Sequence, residues 1–167
     1  MPDVPPRPLG PPETLTLGRG GDGRAWPVLL YRAAFEGGAE AAVRRLDENG
    51  WGGAWVDGVF AYPHEHPDAH EALAVVAGRA ALRLGGAAGQ DVTVEAGDVV
   101  VLPVGTVHQR LDASADFRVV GAYPEGQHAF TTRRPDHDGP APPGVAVPRP
   151  AADPVRGRGG PLTTLWR

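Results

Sequence analysis

The sequence predicts an all-β domain with one or two short helices, arranged as an antiparallel sandwich or barrel. From Trp51 onward, short strand-like apolar runs follow one another and are separated by Gly, Pro and Asp. This spacing is typical of sandwiches and barrels. The length of 167 residues corresponds to one domain and suffices to bury a core.

The N-terminal residues are predicted to form an arm followed by a loop. Residues 1–13 contain six Pro and no periodic apolar pattern, which predicts a mobile arm, and residues 15–17 are compatible with a short strand. Residues 18–23 match the glycine pattern of a dinucleotide-binding turn, but that site needs a helix directly after the glycines, and Pro27 opposes one. We therefore assign residues 1–24 to an arm and a loop.

One helix and a series of strands are predicted in the following domain, residues 25–123. Residues 39–48 favour a helix because Ala39, Val43 and Leu46 have the spacing of one helical face. The Asn-Gly pair after residue 48 is a typical helix stop. The predicted strands are residues 54–60, 63–66, 71–77, 79–84, 91–95, 98–102, 107–111 and 116–123.

The C-terminal residues 124–167 are predicted to form an irregular extension that packs on the barrel. Residues 124–160 are rich in Pro, Gly and Arg. Residues 162–166, Leu-Thr-Thr-Leu-Trp, are apolar enough to dock onto the domain, so we do not expect a disordered tail.

The composition argues against nucleic-acid and membrane partners. The net charge of −4 and a pI of about 5.8 leave no excess of basic residues for nucleic acid. No apolar run approaches the roughly 18 residues of a membrane span. The N-terminus has no apolar stretch of the signal-peptide kind. We expect a soluble cytoplasmic protein.

The missing residue types also restrict the chemistry. The chain has no Cys and no Lys, which excludes thiol nucleophiles, disulfides and Schiff bases. Its single Ser, Ser114, lies in a predicted turn without the Gly-x-Ser-x-Gly surroundings of a nucleophile. A bound metal ion is the reactive centre that remains.

Three His and one Glu form the candidate metal site. His64 and His66 are two residues apart, so on a strand both face the same side. Glu71 has the wrong parity for one uninterrupted strand, but a bend or bulge at residues 67–69 can restore it, with Leu73 and Val75 then facing inward. His108 follows a Pro-x-Gly turn. Imidazoles with a carboxylate are ligands for first-row transition metals.

Few other side chains qualify as catalysts. His70 is the alternative to Glu71 as fourth ligand, but it faces away if the strand resumes at Glu71, where it becomes a supporting or surface group. For each candidate, a structural or surface role is the simpler interpretation. The candidate acid–base or orienting groups are His70, Tyr62, Asp68, Arg118 and Tyr123.

The spacing of these residues resembles that of the cupin superfamily. In residues 58–78, Gly58 is followed after five residues by His-Glu-His, then after four by Glu71 and after six by Gly78. In residues 97–112, Gly is followed after five residues by Pro-Val-Gly and after two by His108. Asp112 stands where the second motif usually has Asn, a position that holds no metal in the family.

Further short stretches resemble a small group of YjlB-like bacterial cupins over most of residues 27–166. The resemblance implies a single-domain double-stranded β-helix, or jelly-roll barrel. It also implies one divalent transition metal ion (Fe, Mn, Ni, Cu or Zn), with His64, His66, Glu71 and His108 as ligands. It does not imply a reaction.

Three functions remain open at this stage. The first is a metal-dependent oxygenase, isomerase or lyase that acts on a small polar molecule inside the barrel, which requires an open metal position. The second is a non-catalytic module that binds a metal or small molecule, favoured by Zn closed off by four protein ligands. The third is a purely structural metal. A homodimer is also expected, because small barrels of this kind often pair through their edges.

Overall fold

The computed structural model describes residues 10–17, 25–139 and 146–167. The predicted glycine loop, 18–23, and most of the predicted arm, 1–13, lie outside these residues. Within them, no helix is long and apolar enough to cross a membrane. The elements in chain order are β1 (Glu13–Leu15), β2 (Val28–Tyr31), α1 (Ala39–Glu48), β3 (Trp51–Asp57), β4 (Glu71–Ala77), β5 (Arg79–Leu84), β6 (Gln90–Glu95), β7 (Val99–Leu102), β8 (His108–Ala113), β9 (Arg118–Pro124) and α2 (Pro161–Leu165).

The strands form two sheets, and every strand pairing is antiparallel. The larger sheet has the order β1-β2-β7-β4-β9-β3, and the smaller has the order β6-β5-β8. Neighbours such as β4 and β9 are distant in the chain, so the sheets are not simple meanders. The predicted all-β class with one or two short helices is confirmed.

The larger sheet is covered on both faces. On β4, Ala72 and Ala74 belong to a core cluster that also contains residues of α1 and the C-terminal Trp166. Leu73 and Val75 belong to a second cluster, which contains residues of the smaller sheet. Because side chains alternate along a strand, one strand thus contributes to both cores. The inward series that starts at Glu71 is confirmed.

The helix α1 coincides with the predicted range. Ala42 and Leu46 bury its inner face, and Gly50, with a φ of 81°, ends it in the left-handed conformation that glycine adopts without strain. Burial of this face attaches the helix to the larger sheet.

Some predicted strands differ from those observed. Residues 63–66 form no strand: His64 and Glu65 make only isolated bridges, to His108 and Arg133. The strand predicted at residues 54–60 is observed as β3, Trp51–Asp57. It begins three residues earlier than predicted because its pairing with β9 starts at Trp51. The strand β2 was not predicted, since its four residues are all buried and lack the alternation that marks a strand. The short helix α2 was not predicted either.

The C-terminal residues dock onto the larger sheet. Leu162 and Trp166 are fully buried in the first core cluster. The carboxylate of Asp153, also fully buried, accepts hydrogen bonds from the Tyr31 hydroxyl and from the backbone N–H of Val155 (2.8 Å) and Leu162 (3.0 Å). These bonds hold the C-terminal segment to β2.

Candidate metal centre

The side chains of His64, His66 and His108 form a compact buried cluster. One ring nitrogen from each lies within 4.8 Å of the others. His64 and His108 are held side by side by two backbone hydrogen bonds, of 3.1 and 2.9 Å. The chain thus brings two distant motifs together through an isolated bridge rather than through a regular ladder. Three buried imidazoles at this spacing can hold a metal ion.

Backbone carbonyl groups orient all three rings. The Nδ1 atom of His64 lies 3.2 Å from the oxygen of Tyr62, that of His66 lies 3.0 Å from the oxygen of Thr131, and that of His108 lies 2.9 Å from the oxygen of Thr106. A carbonyl oxygen only accepts, so each Nδ1 carries the proton. Each Nε2 atom is then left with a lone pair for a metal, which is the usual arrangement for metal-binding His.

The carboxylate of Glu71 faces two of these nitrogens. Its Oε2 atom lies 3.2 Å from Nε2 of His66, and its Oε1 atom lies 3.1 Å from Nε2 of His108. Oε1 is buried and has no well-aligned hydrogen bond within the described part of the chain. Lone pairs that face one another at this distance repel unless a cation or proton lies between them. The donor set of three imidazoles and one carboxylate fits a divalent transition metal ion.

Electrostatics favour the metal-binding protonation states of two of these groups. Burial, followed by the charge of His108, lowers the pKa of His64 to about 3, so this ring is neutral near pH 7. Burial raises the pKa of Glu71, but the contacts with His108 and His66 outweigh burial and hold that pKa well below its usual range. For His66, burial lowers the pKa, but the contacts with Glu71, Thr131 and Asp68 together raise it above its usual value. A metal ion therefore competes with a proton at His66.

The cluster lies in the wall of a cavity of about 540 Å³. The volume is within the range of small-molecule sites. Most of the lining surface is apolar, although half of the lining residues carry a polar side chain. Besides the three His and Glu71, the lining includes Trp55, Leu73, Arg110, Tyr123, Phe130 and Thr132.

Tyr123 connects Glu71 to the cavity wall. Its hydroxyl donates a 2.6 Å hydrogen bond to Oε2 of Glu71 and accepts one of 2.7 Å from Nε1 of Trp55. Its ring stacks on Phe130 at 4.0 Å. The structure therefore places this candidate beside the cluster, where it orients Glu71.

Tyr62 and Asp68 lie close to the cluster but do not line the cavity. The Tyr62 ring stacks on Phe60 at 4.7 Å and lies 3.9 Å below the guanidinium of Arg134. Asp68 accepts hydrogen bonds from the backbone N–H (2.9 Å) and the hydroxyl (2.8 Å) of Thr131. It thereby fixes the carbonyl group that orients His66.

The structure separates His70 and Arg118 from the cluster. His70 is fully buried; its Nδ1 accepts the backbone N–H of Val104 (2.8 Å), and its Nε2 lies 3.0 Å from the oxygen of Pro148. Both ring nitrogens are therefore engaged by backbone. Arg118 begins β9 and donates to the neighbouring carbonyl of Phe117 at 2.7 Å. Neither residue lines the cavity.

Sequence reasoning missed Arg110, Thr131 and Phe130. Arg110 has the same parity as His108, so strand alternation is a signal that identifies it. Thr131 and Phe130 lie in an irregular segment, and no local pattern connects them with His66. Their contacts arise because Glu65 and Arg133 exchange backbone hydrogen bonds, both of 2.9 Å.

Comparisons with known proteins agree with this architecture. The cupin domain family matches residues 55–116. The uncharacterized protein YjlB of Bacillus subtilis (strain 168) is 36% identical over 143 residues, covering 84% of this chain and 86% of that protein.

Solved structures show more distant similarity. An uncharacterized conserved protein from Klebsiella pneumoniae with a double-stranded β-helix domain is 17% identical, with a TM-score of 0.39, over 77% of this chain and 90% of that chain. The DMSP lyase DddQ from Ruegeria pomeroyi is 16% identical, with a TM-score of 0.42, over 81% of this chain and 59% of that chain.

The three His of the buried cluster come from the two motifs whose spacing resembles that of cupins: His64 and His66 from the first, and His108 from the second. The family match spans both motifs, and the similarity to YjlB extends well beyond them. The chain belongs to the cupin family, as a YjlB-like member.

Proposed function

We propose that this chain is a metal-dependent cupin enzyme of the oxygenase, isomerase or lyase type, which acts on a small polar molecule in the barrel cavity. His64, His66, Glu71 and His108 would hold one divalent transition metal ion, such as Fe, Mn, Ni, Cu or Zn. The observation that carries the proposal is that these donor groups converge in the wall of a cavity large enough for a small molecule.

The roles of the surrounding residues follow from their contacts. A bound ion would supply Lewis-acid or redox chemistry at the cavity wall. Tyr123 donates to Glu71 and so keeps the carboxylate directed at the imidazoles. Apolar side chains such as Trp55, Leu73 and Phe130 limit the access of water, which strengthens electrostatic interactions inside the cavity.

A non-catalytic binding module is the second candidate. The observation that favours it is the small number of acid–base groups in the cavity. Among the described lining residues, the ionisable side chains besides the proposed ligands are Asp57, Arg110 and Tyr123. Burial, followed by the charge of Glu71, raises the pKa of Tyr123 well above its usual range, so this group is a poor proton donor near pH 7.

Metal analysis of protein purified without a His tag tests the metal site. We expect one ion per chain in the wild type and its loss in His66→Ala. The matched control is His137→Ala, because the side chain of His137 is 71% exposed and the same substitution there should leave the metal content unchanged. Equal metal content in the wild type and His66→Ala would contradict the proposed ligands.

Turnover distinguishes the enzyme from the binding module. The protein is reconstituted anaerobically with Fe(II), and oxygen uptake is then followed across a metabolite panel, with product analysis for isomerase and lyase reactions. We expect metal-dependent turnover that His66→Ala abolishes. Stable binding of a small molecule without turnover with any of the candidate metals would favour the binding module instead.

The expected homodimer and the cytoplasmic location stay predictions. Size-exclusion chromatography with light scattering measures the first, and fractionation of the source cells measures the second.

A further inference from the structure

Arg110 occupies the same inward face of β8 as His108. In the pairing of β5 with β8, His108 lies opposite Leu84 and Arg110 lies opposite Leu82. Both leucines are buried in the cluster between the sheets. A register shift after Arg110 places the extra residue, Leu111, on the outside, where it is 41% exposed. The bulge thus keeps the half-buried Arg110 in the lining of the cavity that also contains the His cluster.

The guanidinium of Arg110 has no partner among the described residues. The backbone N–H of Arg110 donates to the oxygen of Phe60 at 2.9 Å, but its side chain forms neither a hydrogen bond nor an ion pair there. Elsewhere in the same sheet, Arg83 pairs with Asp91 through two hydrogen bonds, of 2.8 and 3.1 Å. Asp57 also lines the cavity, but it is exposed and accepts the N–H of Gly58 at 2.7 Å.

A guanidinium without a partner attracts an anion into a cavity whose lining surface is mostly apolar. The aromatic lining of Trp55 and Phe130 reduces the local dielectric constant, which strengthens a charge-assisted hydrogen bond. The planar guanidinium fork matches an oxyanion and can bind it through two hydrogen bonds. A carboxylate has one negative charge and thus balances one guanidinium, whereas a phosphate monoester has about −1.5 to −2 at pH 7.

We propose that Arg110 binds the carboxylate of a small acid, and that a second oxygen-bearing group of the same acid contacts the proposed metal site. This inference rests on the proposed function and specifies its substrate class. Residues two apart on a strand are separated by about 7 Å, so the two polar ends of the ligand are a few carbon atoms apart. Short dicarboxylic, hydroxy or keto acids have this form.

Succinate and butyrate test the proposal, because the two molecules differ mainly in the second carboxylate. Binding is measured by isothermal titration calorimetry on the full chain loaded with Ni(II), after its metal content has been determined. We expect the wild type to bind succinate roughly tenfold or more tightly than butyrate, the effect of one hydrogen bond to a charged group. Arg110→Gln should remove this preference.

Arg79→Gln is the matched control. It removes the same charge from the same sheet, but Arg79 is exposed at the start of β5 and does not line the cavity. It should retain the preference for succinate. Arg110→Lys retains the charge without the planar fork, so its preference should lie between those of Arg110→Gln and the wild type. This second variant provides the test if Arg110→Gln does not fold.

The outcomes separate this inference from the proposed function. Equal preferences in the wild type and Arg110→Gln, or no preference in the wild type, would overturn the role of Arg110 even if the metal is bound. Tighter binding of 3-phosphonopropionate than of succinate would overturn the choice of a carboxylate. If the chain binds no metal, the proposed function fails. The carboxylate-binding role of Arg110 is then tested on the metal-free protein, in which Arg110→Gln must still weaken succinate binding.

Discussion

Substitution of Tyr123 by Phe removes one hydroxyl group from the wall of the metal centre and leaves the ring in place. The ring keeps its stacking contact with Phe130, so the substitution creates little empty space. The lost interactions are the 2.6 Å hydrogen bond to Glu71 and the 2.7 Å hydrogen bond from Trp55. Because Glu71 is a proposed ligand, we expect the main effect on metal affinity.

The magnitude follows from the charge on Glu71. The low pKa of Glu71 means that its carboxylate is ionised, and a hydrogen bond to a charged group contributes about 1.5–3 kcal/mol. At about 1.4 kcal/mol per factor of ten, complete loss of this contribution corresponds to a factor of roughly 10–100. Losses of about 10- to 100-fold are also typical when a group that orients a metal ligand is removed. We expect Tyr123→Phe to weaken metal binding by this factor.

Competition with a chromophoric chelator measures the affinity, and urea unfolding of the metal-free protein measures stability separately. Tyr62→Phe is the matched control, because the Tyr62 hydroxyl has no hydrogen bond among the described residues, and its ring contacts survive. Its metal affinity should equal that of the wild type. Unchanged metal affinity in Tyr123→Phe, with a lower free energy of unfolding, would refute the reasoning and make Tyr123 a purely structural residue.

Three further predictions concern buried residues that do not line the cavity. His70→Ala should lower the free energy of unfolding by about 2–4 kcal/mol, because it leaves a cavity and an unpaired N–H at Val104, while the metal content stays unchanged. Asp153→Asn should lower the free energy of unfolding in urea by about 1–3 kcal/mol, because an amide NH2 replaces the carboxylate oxygen that accepts the N–H of Leu162, and an NH2 group cannot accept. Burial, followed by the hydrogen bond to Asp153, raises the pKa of Tyr31 far above its usual 10. Above pH 10 the phenol of the unfolded chain loses its proton while that of the folded chain keeps it, so the free energy of unfolding should fall as the pH rises above 10.

Each of these has a result that would contradict it. Loss of metal together with stability in His70→Ala would indicate that His70 acts on the site. Unchanged stability of Asp153→Asn would mean that water or rearrangement satisfies Leu162. For Tyr31, urea unfolding is repeated from pH 8 to 11 with Tyr31→Phe as the control, and an equal loss of stability in both proteins would assign the alkaline effect to another group.

Local spacing predicted much of the site before any tertiary contact was known. The alternation of strand side chains predicted that Leu73 and Val75 face inward after Glu71, and that His70 faces away. The i, i+4, i+7 pattern predicted α1. These features depend only on the geometry of one element, which is why the sequence sufficed for them.

Other features depend on contacts between distant parts of the chain. The strand β2 was not predicted from its sequence. Its four residues are all buried, and a strand that is buried on both faces has no apolar–polar alternation to reveal it. His64 and His66 have no regular strand around them. A backbone bridge to His108 positions His64, and the carbonyl of Thr131 orients the ring of His66. No pattern near His66 indicates that a segment about 65 residues later supplies this carbonyl.

The sequence by itself determined the fold class, the family resemblance and the candidate ligands, because these follow from residue types and their spacing. It also predicted that a bound metal ion is the main reactive centre of a chain without Cys or Lys. Only the tertiary structure decided which groups surround that centre. Pairing of β4 with β9 places Tyr123 against Glu71. In the same cavity, the side chain of Arg110 is left without a partner among the described residues. Both results depend on contacts between strands that are distant in the chain, which no single element encodes.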